Sequence, residues 1–209
     1  MDALIRELTE QFKRFPGIGE RQAKRFVYFL LYQSPAYTES LIRKINELKK
    51  NVLQCKECMR FYTKKDSGKN ICSICSDQSK DKTVLLIVEK DVDMEALERS
   101  KIYQGTYFVL GGLIPVIEKK LPSYVRYTEL MKKIEDKVST NELEEIVLGF
   151  SMNPSGEFTD RYIRSQLEKL LDPNKVKITS LGRGLSTGSE LEYADSETLK
   201  YALENRKQK

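Results

Sequence analysis

Leu4, Leu8, Phe12 and Phe15 recur at spacings of four, four and three, which predicts one apolar face of a short helix. Pro16-Gly17-Ile18-Gly19 interrupts that pattern with turn chemistry. A second helix is expected from about Glu20 to Tyr32, with Ala23, Phe26, Val27 and Leu30 facing inward and Pro35 ending it. Thr38 can cap a third helix that continues to about Lys50. A compact cysteine-bearing stretch, 55–75, comes next, and beyond it the period changes. Thr83–Val88, Thr106–Leu110, Glu145–Phe150 and Val176–Ser180 read as strands, while Asp93–Arg99, Ser123–Lys137 and Glu157–Leu171 read as helices. Strands that alternate with helices predict an α/β unit with a mostly parallel sheet. Gly182–Lys209 holds three glycines and then a helix over Ser196–Arg206.

Composition narrows the function classes. At 209 residues, with 40% hydrophobic and 32% charged residues, the chain fits one or two soluble globular domains. It contains no histidine, which excludes a Ser-His-Asp triad, a Cys-His pair and any His-ligated metal. The apolar runs Phe26–Tyr32, Val84–Val88 and Tyr107–Ile117 are too short to span a bilayer. Met1–Glu7 lacks the basic-then-apolar pattern of a secretory leader, so a cytoplasmic address is expected. The net charge of +5 is unevenly placed: residues 1–82 carry a balance of +7 and residues 83–209 a balance of −2. A basic first part suggests a polyanionic partner, although a solvated lysine-rich surface would give the same count.

The hairpin makes that charge informative. Glycines at 17 and 19 allow backbone angles that other residues avoid, and they let a ligand approach the main chain. Consecutive amides of Gly17, Ile18 and Gly19, with the N-terminus of the next helix, form an anion site. Arg21, Lys24 and Arg25 follow within one and a half turns, and Arg21 and Arg25 share a face. The stretch resembles the helix-hairpin-helix motif, which grips DNA phosphates without reading bases; the plain alternative is an αα-hairpin with a tight glycine turn.

Every cysteine in the chain falls in Cys55-x2-Cys58-x13-Cys72-x2-Cys75. Two such knuckles bring four thiolates to one ion, the spacing of a structural zinc site with no open coordination position. Paired disulfides are disfavoured in a cytosolic protein, and a redox pair normally occurs once, before a helix. Glu89 closes the first buried strand and Asp93 opens the following helix. Carboxylates at the carboxyl end of a strand can ligate a divalent cation. An ordinary strand–helix loop, with Asp93 as a helix cap, is the competing reading.

These pieces in this order resemble the RecR family of bacterial recombination mediators over essentially the whole length. The resemblance rests on Phe15–Gly19 with Ala23 and Arg25, the four cysteines, Val88-Glu89, Asp93 and Ala96-Leu97-Glu98. It continues through Gly105-x-Tyr107-Phe108-Val109-Leu110-Gly111-Gly112, Gly156-Glu157-x-Thr159 and Leu191-Glu192-Tyr193-Ala194-Asp195 with Thr198-Leu199. It implies an α/β chain divided into a helix-hairpin-helix region (1–54), a four-cysteine zinc finger (55–80), a Toprim domain (81–180) and a Walker-B-like C-terminal segment (181–209). It implies a non-enzymatic DNA-binding mediator, associated with the nucleoid. That mediator acts with RecO, and in some bacteria RecF, to help RecA load onto gapped DNA.

Further implications are duplex and junction binding without sequence preference, and a tetrameric ring or a dimer built through the N-terminal helices and the C-terminal segment. Glu89, Asp93 and Glu157 would form the Toprim acidic surface. Met152-Asn153-Pro154-Ser155 lacks a carboxylate the family usually carries, Leu113–Pro122 lacks the usual glycine series, and Ser186 replaces a proline. These departures weaken the case for Mg²⁺ there. They also weaken the main alternative, a Toprim-type Mg²⁺-dependent nuclease or primase, because no Asp-x-Asp follows Ile146–Phe150. A zinc-stabilised RNA-binding module would leave the Toprim segments without a role.

Overall fold

The computed structural model describes residues 2–64, 70–117, 121–182, 184–185, 188 and 190–206. The chain divides into two compact units, Met1–Val52 and Leu53–Lys209.

The first unit is helical. Helix α1 (Ala3–Lys13) starts where Asp2 accepts a hydrogen bond from the Leu4 amide. It packs against α2 (Glu20–Leu31), whose Ala23 and Val27 are buried, with the Phe12 and Phe26 rings meeting edge-on at 5.7 Å. The side of α1 that is buried differs from the expected stripe. Thr9 is buried, whereas Leu4 is 74% and Leu8 38% exposed. The Thr9 hydroxyl closes onto the Ile5 carbonyl at 2.6 Å, so its burial leaves no polar atom unsatisfied.

Helix α3 (Pro35–Asn51) begins three residues before the expected cap. Ser34 caps it by accepting from the Tyr37 amide, Thr38 lies inside it, and Pro35 occupies its first turn rather than ending α2. Proline suits that position because its missing N–H has no partner to lose there. No residue of α3 is buried; Tyr37, Leu41, Ile42, Ile45 and Leu48 form an exposed apolar face.

The second unit is built on a four-stranded parallel sheet in the order β4-β3-β5-β6. Its strands are β3 (Asp81–Val88), β4 (Gly105–Val109), β5 (Glu145–Gly149) and β6 (Lys177–Ser180). Helices α5 (Asp91–Ser100), α6 (Tyr127–Ser139) and α7 (Pro154–Leu170) connect them in turn. A two-stranded sheet of β1 (Val52–Gln54) and β2 (Phe61–Thr63) and the short α4 (Ser73–Ser76) precede the main sheet. A 3-10 turn (Leu191–Tyr193) and α8 (Ser196–Glu204) end the chain.

Both faces of the sheet are covered, which explains why β3 reads as a continuous apolar run. Leu85 and Ile87 face one core with Ile134 of α6 and Ile163 and Leu167 of α7. Leu86 and Val88 face another with Met94 of α5 and three of the cysteines. Helix α6 begins four residues later than expected, because the Arg126 amide first pairs with the Leu110 carbonyl beyond the end of β4. Among the described residues, no helix is long and apolar enough to cross a membrane.

Candidate nucleic-acid interface and metal centre

The turn between α1 and α2 is held by its own backbone. The Ile18 amide donates to the Phe15 carbonyl at 3.1 Å, and Gly17 takes φ 75°, a conformation that side chains with a Cβ resist. The Ile18 amide is therefore spent inside the turn, and the expected row of three consecutive amides is narrower than the sequence suggests. Gly19 has ordinary extended angles, φ −82° and ψ 170°, and caps α2 without a side-chain hydrogen bond. The first amides of α2 thus face outward without a capping acceptor. A Cβ at either glycine would meet nothing within 4 Å, so the chain itself leaves this space open.

Charge around the turn is arranged in two ways. Arg21 and Arg25 are exposed, and neither has an ion-pair partner among the described residues. Lys24 instead lies 2.6 Å from Glu20 and holds that carboxyl below its usual range through a hydrogen bond and charge. Lys24 thereby offsets the one acidic group beside the turn, which would otherwise repel a phosphate.

The four cysteines converge from two knuckles. Their sulfurs all lie within 4.8 Å of one another, and Cys55, Cys58 and Cys72 are fully buried. The Cys58 and Cys72 sulfurs are 3.6 Å apart, far beyond a disulfide bond. That separation suits the edge of a tetrahedral metal–sulfur site, about 3.8 Å for a metal–sulfur bond of about 2.3 Å.

Hydrogen bonding with Cys58, Cys72 and Cys75 draws the Cys55 thiol far down, while hydrogen bonding with Cys55, Cys58 and Cys72 pushes Cys75 up. Within the same cluster Cys72 is drawn down to about 6 and Cys58 is pushed up, so two thiolates form readily and two resist, because packed like charges need a cation. The geometry and the donor set therefore fit a metal ion. Met59, directly after the first knuckle, sits at φ 60°, and the Cys72 amide points at the Cys55 sulfur at 3.3 Å. The module is bound to the sheet by the Val109 amide on the Cys58 carbonyl at 2.8 Å and to α6 by Lys133–Glu57 at 2.7 Å.

The acidic residues at the strand ends are separated by structural duties. Glu89 is buried, accepting from the Ser151 hydroxyl at 2.7 Å and pairing with Lys90 at 2.7 Å. Asp93 accepts from the Lys90 amide at 2.8 Å from the third position of α5; the helix opens two residues earlier than expected, so Lys90 and not Asp93 is its N-cap, although the Asp93 carboxylate still serves that helix end. Glu157 lies in the first turn of α7 and accepts from the Tyr201 hydroxyl of α8 at 3.3 Å.

Among the described residues, the cysteines are the sole group of three or more such side chains gathered closely enough for a metal; Glu89, Asp93 and Glu157 do not form one. Sequence reasoning did not anticipate Ser151 or Tyr201, and it quoted Thr159 within the resemblance without giving it a role. Thr159 is buried and accepts the Ile114 amide at 2.9 Å, which ties α7 to the loop after β4. Ser186 and the lysines at 119 and 120 lie outside the described residues.

Comparison with known proteins agrees with this arrangement. Residues 5–49 match the family described as RecR, helix-hairpin-helix, residues 83–182 match the Toprim domain, and residues 184–207 match RecR, C-terminal. The chain is 35% identical over 207 residues to recombination protein RecR of Bifidobacterium animalis subsp. lactis, covering 99% of this chain and 97% of that protein. It is 35% identical over 200 residues to the protein of that name from Ureaplasma parvum serovar 3, covering 96% and 94%. With the one from Chlorobium luteolum it shares 34% over 202 residues, covering 97% and 95%. The chain belongs to the RecR family of recombination proteins.

Proposed function

We propose that this chain is a DNA-binding recombination mediator that grips phosphates through the 15–19 hairpin and reads no base sequence. The observation that carries the reading is the open space over Gly17 and Gly19 beside the uncapped start of α2 and the exposed Arg21 and Arg25. In this reading Gly17, Gly19 and the first amides of α2 take a phosphate oxygen, with Ile18 shaping the turn. Arg21 and Arg25 neutralise neighbouring phosphates, and Lys24 assists by holding Glu20.

The four-cysteine centre carries one structural Zn²⁺ ion through Cys55, Cys58, Cys72 and Cys75, and the ion supplies folding energy to the polar stretch around it. Residues 1–54, 55–80, 81–180 and 181–209 act as DNA-binding, zinc, Toprim and C-terminal assembly regions. The protein works in the cytoplasm on the nucleoid. RecO, and RecF where present, are its partners in helping RecA displace single-strand binding protein from gapped DNA.

The Toprim region carries no chemistry of its own in this reading. Asp93 and Glu157 contribute to a partner-docking surface, with Glu89 buried beneath it, and Mg²⁺ is not required there. The exposed apolar residues Leu4 and Leu8 of α1, together with Leu191 and Leu203 near the C-terminus, support assembly of several copies into a ring or a smaller clamp. Several weak phosphate grips on one duplex then raise one another's effective concentration. The test is RecA loading onto gapped DNA coated with single-strand binding protein, with RecO present. The wild type accelerates loading, the Arg21→Ala/Arg25→Ala variant does not, and equal acceleration by both contradicts the proposal.

A further inference from the structure

The hairpin also carries an aromatic side chain that its packing uses only in part and the phosphate grip does not use. Phe15 immediately precedes the turn, and its carbonyl accepts the Ile18 amide that closes it. Its ring stacks on Phe12, with centroids 6.0 Å apart and planes 27° from parallel. Phe12 in turn meets Phe26 of α2 edge-on at 5.7 Å. The three rings make a short column that leads from α2 to the hairpin and ends at Phe15. That last ring is 56% exposed, so a large part of its surface faces solvent beside Pro16 and Gly17, which are exposed as well. Burying such a ring is worth far more than leaving it wet, so an apolar side chain fixed open at the tip of a basic turn invites a flat apolar ligand.

From this column we infer that Phe15 is a specificity-determining residue that stacks on a nucleobase of an unpaired strand while the adjacent turn holds a phosphate. The inference rests on the phosphate-gripping reading of the hairpin and adds to it a preference among DNA structures. Every base presents a π-face, so stacking adds affinity without adding sequence preference. In duplex DNA those faces are already stacked on their neighbours, and the ring reaches only backbone and groove edges. Phe15 therefore favours single strands and the single-stranded side of a junction, while Arg21 and Arg25 act on both forms alike. Pairing of basic side chains with an open aromatic is the general recipe for single-strand binding.

The test uses the full-length protein with two fluorescent oligonucleotides, a single strand carrying 2-aminopurine and its duplex, at one fixed salt concentration. Phe15→Leu keeps an apolar side chain against Phe12 and removes the π-face; Phe15→Tyr keeps the face. The expected result for Phe15→Leu is a loss of at least about fivefold in single-strand affinity, the low end of what one stacked base contributes. Duplex affinity stays unchanged, and the 2-aminopurine quenching seen with wild type and Phe15→Tyr disappears. Phe15→Leu binding both forms as wild type does, or losing both equally, overturns the inference, as does a loss that follows a change of mass in light scattering. Failure of the underlying reading looks different: Arg21→Ala/Arg25→Ala then binds both forms as tightly as wild type.

Discussion

Replacing Gly19 with serine separates what the fold needs from what the ligand needs. Gly19 sits at φ −82° and ψ 170°, angles open to any residue, and a Cβ there meets nothing within 4 Å. It is also the N-cap of α2 and supplies no side-chain hydrogen bond, although serine is among the preferred residues at that position. The Gly19→Ser variant should therefore fold normally and gain a few tenths of a kcal/mol from capping, roughly the difference between the two residues at an N-cap. Its binding should move the other way. The new hydroxyl takes one first-turn amide, and its Cβ fills the approach to the main chain. Losing one hydrogen bond to a charged phosphate costs about 1.5–3 kcal/mol, or roughly tenfold or more in affinity.

Gly17→Ala is the control, because φ 75° there charges any side chain roughly 1–2 kcal/mol of backbone strain, so that variant loses stability and binding together. Thermal unfolding measured beside fluorescence anisotropy on a duplex oligonucleotide decides the matter. A Gly19→Ser variant that melts at or above the wild-type temperature yet binds DNA equally well refutes the idea that the open space over the turn is a phosphate site.

Other perturbations reach the rest of the molecule. Cys72→Ser, or a strong chelator, should remove near-stoichiometric zinc and lower the melting temperature of the second unit; unchanged metal content and melting would argue against the centre. Thr159→Val keeps the shape of a buried side chain but strands the Ile114 amide, so chemical denaturation should show a loss of about 1–3 kcal/mol, and none if that bond is dispensable. Asp195 caps α8 by accepting from the Thr198 amide and hydroxyl, which holds its carboxyl below the usual value. A lowered folded-state value means the cap is fully stabilising above the ordinary carboxylate value and is lost as pH falls below that value and through the lowered one. Protection of the amides over 196–204, taken relative to their intrinsic exchange rate at each pH, should therefore fall on acidification in wild type and depend less on pH in Asp195→Asn.

The hairpin and the cysteine centre were legible because their chemistry is local. A turn needs Pro and Gly within five residues, and two CxxC knuckles need no knowledge of the sheet. The strands were legible for a related reason: β3 buries both of its faces, and only apolar residues survive there. What stayed hidden depends on partners distant in sequence. Ser151 meets Glu89 across 62 residues, and this follows only once β3 and β5 are known to be neighbours with Val88 opposite Gly149. Thr159 reaches Ile114 and Tyr201 reaches Glu157 in the same way. What covers α1 was not legible, because apolar spacing marks a stripe without saying what lies against it; Leu4 and Leu8 stay open while Thr9 is buried. Thr38 lost the cap of α3 to Ser34, since Pro35 fits the first turn only when the helix starts there.

The central claim is that the chain holds DNA by its phosphates at the 15–19 hairpin, and a salt titration addresses it directly. Equilibrium binding of one duplex is measured across a series of salt concentrations for wild type and for Arg21→Ala/Arg25→Ala. The account predicts weaker binding by the variant at every concentration and a slope of log affinity against log salt shallower by about one to two units, because up to two phosphate contacts are gone. The same affinity and the same slope for both proteins would contradict it.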